Sequence, residues 1–304
     1  MTENDAICSR LSLRAIELLQ RKNRVTLPNV KLLFADAYRA RTPVMYEPGI
    51  IILFQGRKTG YLGSKVFSYD ASQYLLLSVP LPFECETFAS AQEPLVGLSI
   101  GVDTLMLQDL IIDMGDEIQF RPLSARSSGI NAAPLTDQLF CAAERLLDIM
   151  DKPMDARVLG PGIVREIIYY LLQDVCGDAL LALANRQSHF NQIAKILKKI
   201  ERQFADNLTI EELAADVNMS LSAFHHNFKA VTSTSPLQYL KTYRLHKARV
   251  LMLHDGLNAG TAAMRVGYES PSQFSREFKR YFGISPREDV ARIRTAGVSA
   301  AMPV

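Results

Sequence analysis

LAADVNMSLSAFHHNFKAVTSTSP (residues 213–236) and TAAMRVGYESPSQFSREFKRYFGISP (261–286) are two copies of one pattern. From Ser220 onward they align at a constant offset of 50, which pairs Ser220 with Ser270, Phe224 with Phe274, Phe228 with Phe278, Lys229 with Lys279 and Pro236 with Pro286. Before the single inserted residue, Glu269, the offset is 49 and Asn218 stands opposite Gly267. Asn and Gly are the residues that best tolerate a left-handed backbone, so each copy predicts a helix, a tight turn and a second helix. Ser220 and Ser270 cap the second helices. Ser270-Pro271-Ser272-Gln273 has the form of a capping box with proline at the first helical position, and Thr209 to Glu212 has the same form upstream.

On a helical wheel Ser222, His225, His226 and Lys229 share one polar face, with Phe224 and Phe228 opposite. The second copy repeats this with Ser272, Ser275, Arg276 and Lys279 outside and Phe274 and Phe278 inside. A single amphipathic helix with such a face usually meets only water. A repeated helix pair with a constrained turn and small hydrogen-bonding residues at its outer N-terminus fits the DNA major groove instead. The candidate base contacts are Ser222, His225, His226, Ser272, Gln273, Ser275 and Arg276. The candidate phosphate contacts are Lys229, Lys279 and Arg280.

The region from Phe190 to Arg294 resembles the DNA-binding domain of AraC/XylS-type transcription regulators, in which a long helix joins two helix-turn-helix units. The joining helix here is PLQYLKTYRLHKARVLML, Pro236 to Leu253, with Arg244, Ala248 and Leu251 in the family's pattern. AAMRVGYESPSQFSREFKRYFGISP is the more specific signature. The resemblance covers about a third of the chain and implies double-stranded DNA and RNA polymerase as partners.

At 304 residues, two domains are expected. Composition is that of an ordinary globular protein, 48% hydrophobic and 22% charged. No apolar run reaches membrane-spanning length and MTENDAICSRLSLRAIELL lacks a signal-peptide layout, so a cytoplasmic protein with no membrane partner is expected. The net charge of +2 hides a division: 16 Lys/Arg against 10 Asp/Glu from Phe190 on, and 18 against 22 before it. A basic third on an acidic body suits one module that meets phosphate and another that does not. Cys8, Cys85, Cys141 and Cys176 form no metal-binding spacing and read as reduced thiols.

Along the chain, Asn4 to Lys22 reads as a helix. Short β-rich runs then follow from Val30 to about Val102, among them IIILFQ (Ile50 to Gln55), as in an all-β barrel or sandwich. From Asp103 the pattern is helical, then irregular from Arg121 to Pro134, helical again from Leu135 to Met150, and helical from Gly162 to Val175 after a break at Gly160-Pro161-Gly162. A polar run, Asn185 to Gln192, reads as a linker, after which Ile193, Ile196, Leu197 and Ile200 mark the next helix.

The β-rich part resembles the N-terminal domain of one branch of AraC-type regulators, through Tyr46-Glu47-Pro48, Gln55-Gly56-Arg57-Lys58, Tyr61-Leu62-Gly63 and Ser78-Val79-Pro80-Leu81-Pro82. The resemblance implies a cupin-like barrel that carries regulation, with helices behind it that support a homodimer. The expected fold is therefore α+β: a regulatory domain (1–184) with a cupin-like β-barrel and following helices, a linker (185–192), an all-α domain with two helix-turn-helix units (193–294) and a disordered tail (295–304).

Many cupin-like barrels are metal enzymes, but all five histidines lie at or beyond His189, so the barrel has no imidazole ligand. A nucleophile there also lacks a histidine partner. The expectation is no enzyme, no metal and no cofactor, but a transcription activator answering a small-molecule or electrophile signal. The alternatives are a cupin-type enzyme fused to a DNA-binding domain and a constitutive regulator without ligand. Tyr46, Gln55, Tyr61, Phe67, Tyr69 and Phe83 are the candidate effector pocket. Because some relatives answer electrophiles, Cys85 is the candidate sensor, with Glu84 and Glu86 beside it as neighbours that oppose thiolate formation.

Overall fold

The computed structural model describes residues 3–21, 25–115, 129–184 and 188–295. After α1 (Glu3–Gln20) come β1 (Val30–Ala35), β2 (Arg39–Tyr46), β3 (Gly49–Gln55), β4 (Arg57–Leu62), β5 (Lys65–Asp70), β6 (Gln73–Leu77), β7 (Leu81–Phe88) and β8 (Leu95–Gly101). Then follow α2 (Thr104–Met114), β9 (Ile130–Pro134), α3 (Asp137–Ile149), α4 (Pro153–Gln173) and α5 (Gly177–Ala184). The strands form two antiparallel sheets, ordered β1-β8-β3-β6-β9 and β2-β7-β4-β5. A flattened barrel results, backed by helices, as the α+β reading expects.

The run IIILF in β3 is apolar throughout because both of its faces are covered. Ile50, Ile52 and Phe54 join Leu11, Ala15 and Leu18 of α1 and the interior of α2 to α5 in one core. Ile51 and Leu53 point the other way, into a core with Tyr46, Tyr69, Leu75, Phe83 and Cys85. Gly60 of β4 lies opposite Phe67 of β5, and a Cβ there would stand 2.2 Å from the Phe67 ring. Only glycine lets that ring cross the strand.

Two readings of the helical part need correction. α4 runs unbroken through Gly160-Pro161-Gly162. Proline removes just one helical hydrogen bond, the one to the Arg157 carbonyl, and the buried stripe Ala156, Val164, Ile167, Ile168 and Leu171 holds the helix together across it. Gly160 lets Leu27 approach where a Cβ would meet its Cδ2 at 2.8 Å. The end of the stretch read as irregular is β9, which pairs with β6 from Gln73↔Pro134 to Leu77↔Ile130. The rest of that stretch, 121–128, lies outside the described residues, as do 185–187 of the linker and 296–304 of the tail.

The C-terminal part is α6 (His189–Gln203), α7 (Ile210–Ala215), α8 (Leu221–Thr232), α9 (Pro236–His254), α10 (Ala259–Arg265), α11 (Pro271–Phe282) and α12 (Pro286–Thr295). α6 starts four residues before the periodic stretch, because Ser188 caps it by accepting from Asn191 N–H at 3.0 Å. The first repeat packs into the same core as the barrel interior: Ile193, Phe224, Phe228, Val231 and Tyr239 are continuous with Leu77, Val79 and Leu81. The second repeat has a core of its own around Leu245, Ala248, Val266, Phe274 and Phe278. Two hydrogen bonds fix the first repeat to the barrel: Gly129 N–H donates to Val231 O, and Tyr239 OH donates to Pro80 O, both at 2.9 Å. α12 is anchored by the fully buried Asp289, which takes Arg249 of α9 and Arg292.

Candidate nucleic-acid interface

Each helix-turn-helix follows from a short list of local constraints. Thr209 and Glu212 form a complete capping box on α7. The turn residue Asn218 has φ 53° and Gly267 has φ 83°, the left-handed conformations that the repeat predicts. Equivalent hydrogen bonds close both turns, Met219 N–H to Ala214 O and Tyr268 N–H to Ala263 O, each 3.0 Å. Gly267 is the stricter position, since a Cβ would sit 2.4 Å from the Ala205 carbonyl. Ser220 and Ser270 then cap α8 and α11. In the second cap only half of the box forms: Gln273 N–H donates to Ser270 Oγ at 3.3 Å, but its side chain turns to Glu277.

Phe224, Phe228, Phe274 and Phe278 are fully buried. Each contributes about 1.5–3 kcal/mol by burial, which sets the rotation of both helices. Opposite them Ser222, His225, His226 and Lys229 are exposed on α8, and Ser272, Gln273, Arg276, Lys279 and Arg280 on α11. Ser275 is half-buried and its Oγ donates back to the Pro271 carbonyl at 2.9 Å, so it is the least free of the set. Glu277 also stands on α11. Burial alone would raise its carboxyl, but hydrogen bonds from Tyr268, Lys241 and Gln273 outweigh that and hold it below the usual range.

Arg244 on α9 has a part that the repeat pattern does not reveal. Its guanidinium donates to the carbonyls of Phe204 (2.6 Å), Asp206 (2.8 Å) and Gly267 (3.3 Å). One side chain thereby ties the end of α6, beside the first repeat, to the turn of the second. Arginine at that place in the joining helix is the available sequence signal.

In the barrel, Tyr46, Phe67, Tyr69 and Phe83 come together with Cys85: the Tyr46 and Phe83 ring centroids are 4.7 Å apart and those of Phe67 and Phe83 5.7 Å. Lys58, which the expected pocket did not include, is buried among them and donates to Tyr46 OH at 2.8 Å. Burial, foremost, pushes its amine below the ordinary lysine range. Tyr61 lies on the other sheet face, its OH donating to Glu86 at 2.9 Å, and Gln55 is half-buried at the end of β3. Glu84 and Glu86 also point away from Cys85, towards Arg41 and the phenols of Tyr38 and Tyr61.

Residues 26–179 match the model of the AraC-type transcriptional regulator N-terminus, and residues 213–292 match a helix-turn-helix domain. The HTH-type transcriptional activator RhaS of Klebsiella pneumoniae (strain 342) is 34% identical over 126 residues, 41% of this chain and 44% of that protein. RhaS of Citrobacter koseri is 32% identical over 153 residues, 50% of this chain and 51% of its own. The chain thus spans about half the length of the curated relatives it matches. Among solved structures, an apo ToxT from Vibrio cholerae aligns with a TM-score of 0.61 at 12% identity, covering 88% of this chain and 99% of that one. ToxT from Vibrio cholerae O395 bound to (E)-4-(8-methylnaphthalen-1-yl)but-3-enoic acid gives 0.61 at 10%, covering 86% and 97%. The shared fold therefore extends over barrel and helical domain together.

Proposed function

The chain belongs to the AraC-type transcriptional regulators, and on that premise we propose that it is a sequence-specific DNA-binding activator whose barrel answers a small-molecule signal. The carrying observation is the pair of exposed polar faces on α8 and α11, repeated at a fixed offset and open to solvent although the barrel touches α8, α9 and α11. Ser222, His225, His226, Ser272, Gln273, Ser275 and Arg276 meet base edges, and Lys229, Lys279 and Arg280 meet phosphates. α9, with 19 residues, is about 28 Å long and holds the two recognition helices roughly one DNA turn apart.

In this reading residues 1–184 regulate, 193–294 bind DNA and 185–192 join them. RNA polymerase is a partner, two protomers pair through the helices behind the barrel, the protein works in the cytoplasm, and no catalytic step is assigned to it. The effector acts at the aromatic cluster of Tyr46, Phe67, Tyr69 and Phe83, with Cys85 as the sensing thiol. An α,β-unsaturated aldehyde would add there. The sulfur bonds to the β-carbon, the thiol proton ends on the α-carbon, and nothing leaves.

Hydroxyl-radical footprinting of the full chain on a selected operator tests the proposal. Two protected blocks about 10 base pairs apart on one DNA face are expected. A single block, or blocks on opposite faces, would overturn the two-helix readout. Titrating acrolein into the same footprint should change protection by the parent and leave Cys85→Ser unresponsive. An equal response would remove the thiol and leave a non-covalent ligand.

A further inference from the structure

A cavity of about 510 Å3 opens beside the barrel, and no residue of α8, α9 or α11 lines it. Its walls are the segment entering β1, the passage from β8 into α2, and one face of α4. That volume is in the range of small-molecule sites, roughly 300–1,000 Å3. Most of the lining is apolar, through Leu27, Met106, Ala156 and Val164, and against it stand two charges, Asp103 and Arg157.

Both charged residues are exposed, and among the described residues neither takes part in an ion pair, with the other or with any third group. Asp103 caps α2 through Oδ1 alone, accepting Leu105 N–H at 2.7 Å and Met106 N–H at 3.4 Å, so Oδ2 remains for a donor. Pro161 adds a third polar group. Having no N–H, it leaves the carbonyl of Arg157 without its helical donor, and both residues line the cavity. The site thus offers one cation, one anion and one extra acceptor around an apolar floor.

A simple apolar acid would satisfy Arg157 and be repelled by Asp103; a simple amine would do the reverse. A ligand carrying both charges at one end of an apolar body satisfies both. We propose that this cavity binds a zwitterionic amino acid with a large apolar side chain, its carboxylate on Arg157 and its ammonium on Asp103 and the Arg157 carbonyl. The site is separate from the aromatic cluster in the barrel and does not depend on the DNA reading.

Isothermal titration of the full chain with L-phenylalanine tests this, with no DNA present, so a failure of the DNA assignment does not enter the result. Phenylalanine and leucine should bind and serine should not. 3-Phenylpropionate and 2-phenylethylamine, each lacking one charge, should bind about tenfold more weakly or worse. Arg157→Gln should weaken phenylalanine by about tenfold and leave phenylethylamine unchanged. Asp103→Asn, which keeps the helix cap, should weaken phenylalanine similarly without weakening phenylpropionate. No binding of phenylalanine or leucine, binding of either truncated analogue as tight as that of phenylalanine, or indifference to both substitutions would each overturn the proposal.

Discussion

Arg276 stands exposed in the second turn of α11, on the helix face opposite the buried Phe274 and Phe278. A guanidinium there matches guanine O6 and N7 in a bidentate way, whereas Lys279, one turn on, is a point charge suited to phosphate. Arg276→Ala should cost about 1–3 kcal/mol of binding and relax sequence preference at one operator position. Lys279→Ala should weaken every sequence alike and lower the salt slope by about one. Gel-shift titrations of both variants on operator and scrambled DNA at several salt concentrations separate these outcomes, and equal sequence-blind losses would reverse the assignment. Arg276 was legible because the repeat marks which residues are inside, and whatever falls opposite two buried phenylalanines is outside. Arg244 was not, since its role depends on backbone carbonyls of Phe204, Asp206 and Gly267 that converge only in the fold.

Elements with a strong period and a cap were readable; those decided by neighbours were not. α8 and α11 carry serine caps, left-handed turn residues and buried aromatics that agree with one another. α4 defeats local reading, because Gly160-Pro161-Gly162 is a helix breaker by propensity and is overridden by the buried stripe on either side. β9, INAAP, has too little β-branched or aromatic character to announce itself and exists because β6 offers it an edge. α9 has a different kind of hidden content in His246. Burial, with Arg249 and Lys247 nearby, pushes its imidazole down to about 3, while its Nε2 pairs with Tyr281 OH at 3.1 Å. The folded chain thus refuses a proton that the unfolded chain accepts below about 6.5. This contribution to stability is present above about 6.5 and is lost as pH falls from there towards 3. His246→Gln keeps a partner for Tyr281 and removes the titration. Its melting temperature should therefore fall less than the parent's between pH 7 and pH 5, and parallel falls would assign the acid sensitivity elsewhere.

At the scale of the whole molecule, the two-part plan was visible in the shift from period-two to helical patterning and in the division of charge, but the packing of one part on the other was not. Pro80, Val79 and Gly129 become interface residues only because the barrel meets the α8–α9 corner. Glu47 lies near that meeting place. Burial first, and Glu201 of α6 second, raise its carboxyl above the usual range, against the opposing effect of Lys247 on α9 and Lys31 on β1. A carboxyl raised in the folded state opposes folding only once it is charged. The penalty is therefore absent below its ordinary value of 4.5, grows as pH rises through the raised value, and is complete at neutral pH. Glu47→Gln should melt about 2 °C higher than the parent at pH 7 and together with it at pH 4. A variant that melts lower at pH 7 would mean that the lysines, not burial, dominate the site. The continuity of the first repeat's core with the barrel also bears on inheritance. Two copies of one unit do not drift at the same pace when one of them answers to two interiors. Val231 must suit its own repeat and the barrel interior at once, while its counterpart Tyr281 packs on a separate core and meets the barrel only at its surface, near Glu84 of β7. Descendants of this chain would sooner acquire a new half of their operator through the second copy, and hold the first as the heirloom.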